Sequence, residues 1–217
     1  LLPTGKADLG GGNDLVFASQ TPSPGATEFV SNFTWAYNAA NPDSAPTAIN
    51  GISQLSGAAT PDGRMVAVGN MGANGPRHAW LTPQVGSEGW LDPAKWTDFG
   101  SVSGGGMREN QVFALPGGGY GLLDSDGPIG IKVVQTPQQL ASGRMTPLIS
   151  NSNDNPLPND PFLSSAANQL LQPYGPEVIS VVPNGNGSTL TFLASQWVTD
   201  PTRAYRTILY TVNIGPS

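Results

Sequence analysis

The sequence has no cysteine, a single histidine at position 78, and charged residues that make up only 11% of its 217 residues. The lack of cysteine excludes a disulfide framework and thiolate chemistry. With one histidine, we expect neither a His-rich metal site nor a Ser-His-Asp triad. Asp124 and Asp126 could offer oxygen ligands to Ca²⁺, but the segment lacks the closing bidentate glutamate of a calcium loop. We therefore expect a plain turn there, with no metal and no other cofactor.

Positive charge and long apolar runs are also scarce. Nine Lys and Arg residues stand against fifteen Asp and Glu residues, which gives a net charge of -6 without any basic cluster. Because phosphate backbones require clustered positive charge, we expect no nucleic-acid partner. No apolar run approaches the roughly 18 to 20 residues that cross a bilayer, so we also expect no membrane span.

Glycine and proline are abundant, with 28 and 21 residues, and 38% of the residues are hydrophobic. Frequent glycine and proline favour many tight turns over long helices. The apolar content is high enough to offset the conformational entropy that a folded chain loses, so disorder is not expected. Together these features predict an all-β protein of many short strands.

Three segments repeat one pattern, in which an apolar strand, a Pro-x-Gly turn and a second strand are followed by a third strand. The prolines are Pro61, Pro116 and Pro183, which lie 55 and 67 residues apart. Proline fixes φ, and we predict positive φ at the glycine two positions later. The spacing is typical of four-stranded β-propeller blades, here at about residues 51–102, 103–150 and 172–214, although an ordinary β-sandwich is the alternative.

The remaining segments predict an incomplete ring. Residues 96–102 and 147–150 could supply fourth strands, and residues 1–50 contain two strands, at 14–19 and 29–37, as a partial blade. Residues 151–171 form an insertion, with a helix predicted over 162–171 because Asp160 and Pro161 suit a helix start. Three blades and a fraction do not close a ring of four to eight blades, so we expect a partner chain or missing segment to complete it.

Candidate functional residues lie just before or at the start of each first strand, because propellers present this region to a central funnel. They are Gln54, Glu109 and Glu177. Two carboxylates can serve glycoside hydrolysis, with one as general acid and the other as base or nucleophile. The alternative is that each glutamate is a solvated charge or a salt-bridge partner.

Aromatic rings could extend this site by stacking against sugar rings. The candidates for substrate binding are Trp90, Tyr120, Tyr174 and Trp197, and Asp124 joins them as a polar contact. Packing between blades is the alternative role for the aromatic residues. No glycine-rich segment has the features of a phosphate loop, so nucleotide binding is not expected.

Several segments also carry a resemblance to a known family. They are GWLDPAKWTDFG at 89–100, ENQVFALPGGGY at 109–120, and the later segments 174–179, 193–197 and 208–212. These resemble the final blades of a secreted actinobacterial family of five-bladed β-propellers, formerly of unknown function, that includes endo-D-arabinanases. The likeness covers roughly residues 50–214, whereas the first 50 residues, with Asp8 and Asp14, do not match the family's early blade.

The resemblance implies an exported or cell-envelope glycoside hydrolase that acts on cell-wall arabinan, with acidic residues in the central funnel. From their positions at the strand starts, Glu109 and Glu177 are the candidate catalytic pair. A non-catalytic surface module that binds carbohydrate or protein is the alternative. A structural subunit whose ring is completed by another chain is a third hypothesis.

Overall fold

The computed structural model describes residues 2–19, 33–73, 75–105, 108–125, 128–149, 173–196 and 206–215, and the fold is all-β. The helical content of these residues is a 3₁₀ turn at Pro93–Lys95 and one short helix, α1, at Gln139–Ser142. The helix predicted over 162–171, the rest of the 151–171 insertion, and Trp197 lie outside the described residues.

The strands form four consecutive meanders, which we call blades 1 to 4. Blade 1 contains β1 (Leu2–Asp8), β2 (Leu15–Ser19), β3 (Phe33–Asn38) and β4 (Thr47–Asn50). Blade 2 contains β5 (Ile52–Ala59), β6 (Arg64–Met71), β7 (Arg77–Gln84) and β8 (Thr97–Ser101). Blade 3 contains β9 (Asn110–Ala114), β10 (Tyr120–Ser125), β11 (Ile129–Val134) and β12 (Thr146–Ile149). Blade 4 contains β13 (Pro173–Asn184), β14 (Gly187–Gln196) and β15 (Thr207–Ile214).

Neighbouring strands within each blade are antiparallel and follow the order of the chain. Blades 1 and 2 share one eight-stranded sheet because β1 and β5 pair in parallel over two residue pairs, Ala7 with Gly57 and Asp8 with Ala58. The two strands expected in residues 14–19 and 29–37 correspond to β2 and β3, and β1 and β4 flank them to give four strands in residues 2–50.

The Pro-x-Gly turns occur where the sequence predicts them. Gly63, Gly118 and Gly185 have φ values of 79°, 93° and 59°, so positive φ is confirmed in all three turns. Glycine adopts this conformation without the steric penalty of a side chain, and it therefore lets the chain reverse tightly between the first and second strands.

Three apolar cores lie between successive blades. Blades 1 and 2 enclose Phe17, Leu55 and Trp80, and blades 2 and 3 enclose Val68 and Leu122. Blades 3 and 4 enclose a core that includes Leu123, Phe192 and Tyr210. In β14, buried residues strictly alternate with partly buried ones, so one face of blade 4 packs against blade 3.

The first strands of the blades also contact one another. The Ser56 hydroxyl of β5 donates a 2.6 Å hydrogen bond to Asn110 Oδ1 of β9. The Val178 amide of β13 donates to Gln111 Oε1 of β9 at 2.6 Å. Lys6 of β1 donates through Nζ to the Val178 carbonyl at 3.2 Å. Successive meanders that pack against one another beside their first strands are consistent with an incomplete β-propeller. Blade 4 has three strands among the described residues.

Candidate functional site at the first strands

Two of the predicted site residues lie on or next to neighbouring first strands: Gln54 is on β5, and Glu109 directly precedes β9. β1 and β5 pair in parallel at Ala7 with Gly57 and at Asp8 with Ala58, and nearer their starts Gly5 lies against Leu55, so Thr4 and Gln54 each directly precede a residue of that contact. This approach is close, since a Cβ at Gly5 would lie 2.2 Å from the Leu55 carbonyl oxygen. On the other side of β5, Asn110 Nδ2 donates to the Gln54 carbonyl at 2.5 Å, so Glu109 lies one residue from that contact.

Three oxygen atoms in this region are buried without a hydrogen-bond partner among the described residues. They are Thr4 Oγ1, Gln54 Oε1 and Glu109 Oε2. Buried polar atoms are almost always paired, because an unpaired one costs about 1–3 kcal/mol of desolvation. All three atoms can accept a hydrogen bond, and we call these three residues the mouth cluster.

Gln54 has an unusual backbone within this cluster. Its φ is 51°, and among the residues that the structure describes it is the single non-glycine residue with positive φ. The register of β5 against β6 also shifts between Ser53 and Ser56, which is a β-bulge. Strain of this kind costs about 1–3 kcal/mol and concentrates at functional sites, while a bulge changes the direction of a side chain. The side chain is nevertheless only 7% exposed.

Glu177 lies on β13, next to Val178, whose carbonyl accepts the hydrogen bond from Lys6 of β1. Its side chain is 59% exposed, and its Oε1 lies 4.0 Å from Lys6 Nζ. Glu109, in contrast, is half-buried, and its backbone carbonyl accepts a 2.8 Å hydrogen bond from the Ser125 hydroxyl. The two predicted carboxylates therefore have different surroundings, one solvated beside a cation and one with a shielded oxygen.

Asp124 lies inside the protein between blades 2 and 3. It is 3% exposed, and its carboxylate pairs with the guanidinium of Arg77, which is fully buried. The same guanidinium donates to the Arg108 carbonyl through Nη2 and to Asn70 Oδ1 through Nε at 3.2 Å. Asp124 thus joins two blades, and its carboxylate is already engaged by a cation.

The aromatic candidates are dispersed. Tyr120 is buried in the core between blades 2 and 3, where burial, with a smaller contribution from the charge of Asp62, raises the pKa of its hydroxyl. Tyr174 is half-buried near the start of β13. Trp90 packs at the outer side of the junction between blades 1 and 2, where it helps to line an open cleft of about 650 Å³ between β4 and residues 89–94. These rings do not gather around the mouth cluster.

The expectation that a single histidine precludes a Ser-His-Asp arrangement was wrong. His78 Nδ1 lies 3.1 and 3.0 Å from the two carboxylate oxygens of Asp98, and its Nε2 lies 3.2 Å from the Ser101 hydroxyl. A Ser-His-Asp arrangement needs only one histidine, so the count of histidines could not exclude it. We call His78, Asp98 and Ser101 the β7–β8 cluster, and it lies on blade 2. The sequence pattern had not singled out Asp98 or Ser101 as site residues.

Two further structural features bear on the function. No three His, Asp or Glu side chains come together as metal ligands within the described ranges. The helices among those residues are also too short to cross a membrane.

The chain is an all-β protein of successive meanders, with the mouth cluster at its first strands and the β7–β8 cluster near the edge of blade 2. Comparison of the sequence with protein-family models and with curated proteins found no match. The geometry of this chain is therefore the basis on which its function is proposed.

Proposed function

We propose that the mouth cluster binds a polysaccharide and that Glu109 and Glu177 hydrolyse it. The observation that carries this proposal is the set of buried, unpaired oxygen atoms on Thr4, Gln54 and Glu109. Sugar hydroxyls donate hydrogen bonds, so a glycan could satisfy all three acceptors and offset their desolvation. The strained backbone of Gln54 agrees with a preformed binding position.

The hydrolytic part of the proposal assigns the two carboxyl groups of a glycoside hydrolase. One would protonate the leaving oxygen, and the other would act as base or nucleophile. Glu109 directly precedes Asn110, which bonds to the Gln54 carbonyl, and Glu177 is solvated and flanked by Lys6. The resemblance of residues 50–214 to arabinanase propellers supports arabinan of a cell wall as the substrate and an exported or envelope location.

A binding module without catalysis is the second candidate function. It is favoured by the ion pair between Lys6 and Glu177, because an engaged carboxylate is less available as base or nucleophile. The same module could present its glycan site as part of a larger assembly with a partner chain.

Release of reducing sugar from arabinogalactan, together with calorimetric binding of arabinan oligosaccharides, tests both candidates. We expect the wild type to release sugar, and Glu109→Gln and Glu177→Gln to lose about 10²–10⁴-fold in rate, as for removal of a general acid or base. Glu88→Gln is the matched control, because Glu88 is exposed on a loop of blade 2.

The outcomes separate the two functions. Binding that Gln54→Ala weakens, without any release of sugar, would leave a binding module and reject hydrolysis. Full activity in both glutamate variants would reject these two residues. Neither binding nor hydrolysis of any arabinan would reject the carbohydrate proposal as a whole.

A further inference from the structure

A β-bulge creates the β7–β8 cluster. His78 pairs with Ser101 and Ala79 with Gly100, but Trp80 pairs with Asp98, so Phe99 is an extra residue in β8. In a regular strand, residues three positions apart point to opposite faces. The bulge restores Asp98 to the face of Ser101, and Gly100 accommodates the turn of the backbone with a φ of 93°.

The imidazole of His78 is held on three sides. Both carboxylate oxygens of Asp98 lie within 3.1 Å of Nδ1, and the ring stacks on buried Trp80 with centroids 5.8 Å apart. The Gly100 amide donates to Asp98 Oδ1 at 2.7 Å and fixes the carboxylate in turn. Nε2 is thereby directed at the Ser101 hydroxyl, and the carboxylate favours the tautomer in which Nε2 can accept a proton.

Ser101 is exposed and has an amide that points away from the sheet. The next residue, Val102, donates its amide to the Arg77 carbonyl at 2.8 Å, so Val102 faces β7. Since successive residues of a strand face opposite sides in the plane of the sheet, the Ser101 amide faces outward from the edge strand β8. The amide of a nucleophilic serine is one of the donors that stabilise the oxyanion in acyl transfer.

We propose that Ser101, His78 and Asp98 form a nucleophilic site that hydrolyses carboxylic esters. Ser101 Oγ attacks the ester carbonyl carbon while its proton passes to His78 Nε2. The C–O bond to the alcohol then breaks, and the alcohol leaves with that proton, which gives an acyl-Ser101. Water attacks the acyl group with Nε2 as base, and the carboxylic acid and free Ser101 are regenerated.

The position of the site indicates the kind of ester. Ser101 lies at the end of an edge strand, and Asp98 is also exposed, so the hydroxyl is open to an acyl group carried on a larger molecule. Among the described residues, the recorded partner of the Ser101 hydroxyl is His78, and no Lys or Arg side chain is recorded in contact with that hydroxyl to bind a free acid. The substrate class is therefore a neutral O-acyl ester, and the proposal is independent of the mouth cluster.

Covalent labelling tests the nucleophile directly. The full chain is treated with a fluorophosphonate, and the modified residue is located by peptide mass spectrometry. We expect one adduct, on Ser101, and a burst of nitrophenol from p-nitrophenyl acetate. Ser101→Ala removes both, and His78→Gln slows labelling at least about 100-fold because the general base is lost. Ser87→Ala is the matched control, since Ser87 is an exposed loop serine whose hydroxyl donates to the Gln84 carbonyl.

The rival interpretation is a structural staple between β7 and β8, and the same experiment separates it. A staple predicts that Ser101→Ala and His78→Gln alter the unfolding midpoint while the folded wild type forms no adduct on Ser101. That result, or equal labelling rates in wild type and His78→Gln, would overturn the proposal. Reducing-sugar release by Ser101→Ala is expected to equal that of the wild type, so failure here is distinguishable from failure at the mouth cluster.

Discussion

The junction between blades 2 and 3 differs sharply from the contact between blades 4 and 1. The first contains an apolar core and the fully buried Arg77, which pairs with Asp124. The second consists, within the described residues, of Lys6 reaching Val178 and Glu177, and no apolar core cluster spans it there. Blades 2 and 3 are therefore held together by a buried core and a buried ion pair, whereas blades 4 and 1 are joined by the polar contacts of Lys6 alone among the described residues.

Burial decides the energetic weight of each contact. An ion pair in solvent contributes about 0–1 kcal/mol, because water screens the charges and long side chains lose freedom. A buried pair is not strongly stabilising against an apolar replacement, but it is costly to break, since the remaining charge has no solvent. The following substitutions test that difference, beginning with the largest expected effect.

Arg77→Met should destabilise the protein by about 3–5 kcal/mol, because the buried carboxyl group of Asp124 would lose the guanidinium that pairs with it. The free energy of unfolding in urea measures this loss. Arg64→Met is the control, because Arg64 pairs with Asp62 at the surface and should lose less than about 1 kcal/mol. Equal losses in the two variants would contradict the assigned role of the buried pair.

Lys132 provides a pH-dependent test of the same junction. It is fully buried on β11 and donates to Ser103 Oγ at 3.2 Å and to the Leu140 carbonyl at 2.9 Å. Burial lowers its pKa to about 8, although the nearby charge of Asp124 acts in the opposite direction. The folded state therefore binds fewer protons than the unfolded state between about pH 8 and the ordinary lysine pKa of 10.5.

Stability should consequently rise with pH across this window, relative to Lys132→Met, by up to about 3 kcal/mol. Below pH 8 the charged lysine is disfavoured inside the protein, so its penalty is fully present; above pH 10.5 it is absent. Urea unfolding of both proteins from pH 7 to 11 gives the difference. A difference that stays constant with pH would show that Lys132 does not titrate in this window.

Local rules predicted much of this fold but not its polar clusters. Glycine chemistry gave the positive φ of Gly63, Gly118 and Gly185, because each turn depends on nearby residues only. The partners of Asp124 could not be foreseen, since Arg77 comes from another blade, 47 positions away in the chain. In a regular strand, Asp98 and Ser101 would lie on opposite faces. The bulge at Phe99 brings them to the same face.

The site predictions divide in the same way. Counting from the prolines brought attention to Gln54, which lies on β5, and to Glu109, which directly precedes β9. The strain at Gln54 and the unpaired oxygen of Thr4 have no signal in the sequence, because they arise from the register of β1, β5 and β6. Gly5, next to Thr4, has no side chain and so permits the close approach of β1 to β5, but a glycine alone does not single out its neighbour.

Lys6→Met should have the smallest effect, a loss below about 1 kcal/mol in the free energy of unfolding, because its contacts to blade 4 are partly solvated. Its local effect should be larger. Without the Nζ bond to the Val178 carbonyl, β13 loses its described hydrogen bond to blade 1, so its amides should exchange faster with solvent while those of β9 and β10 do not. Uniform acceleration of exchange in all blades would mean instead that Lys6 supports the whole ring, and that the two junctions are equally important.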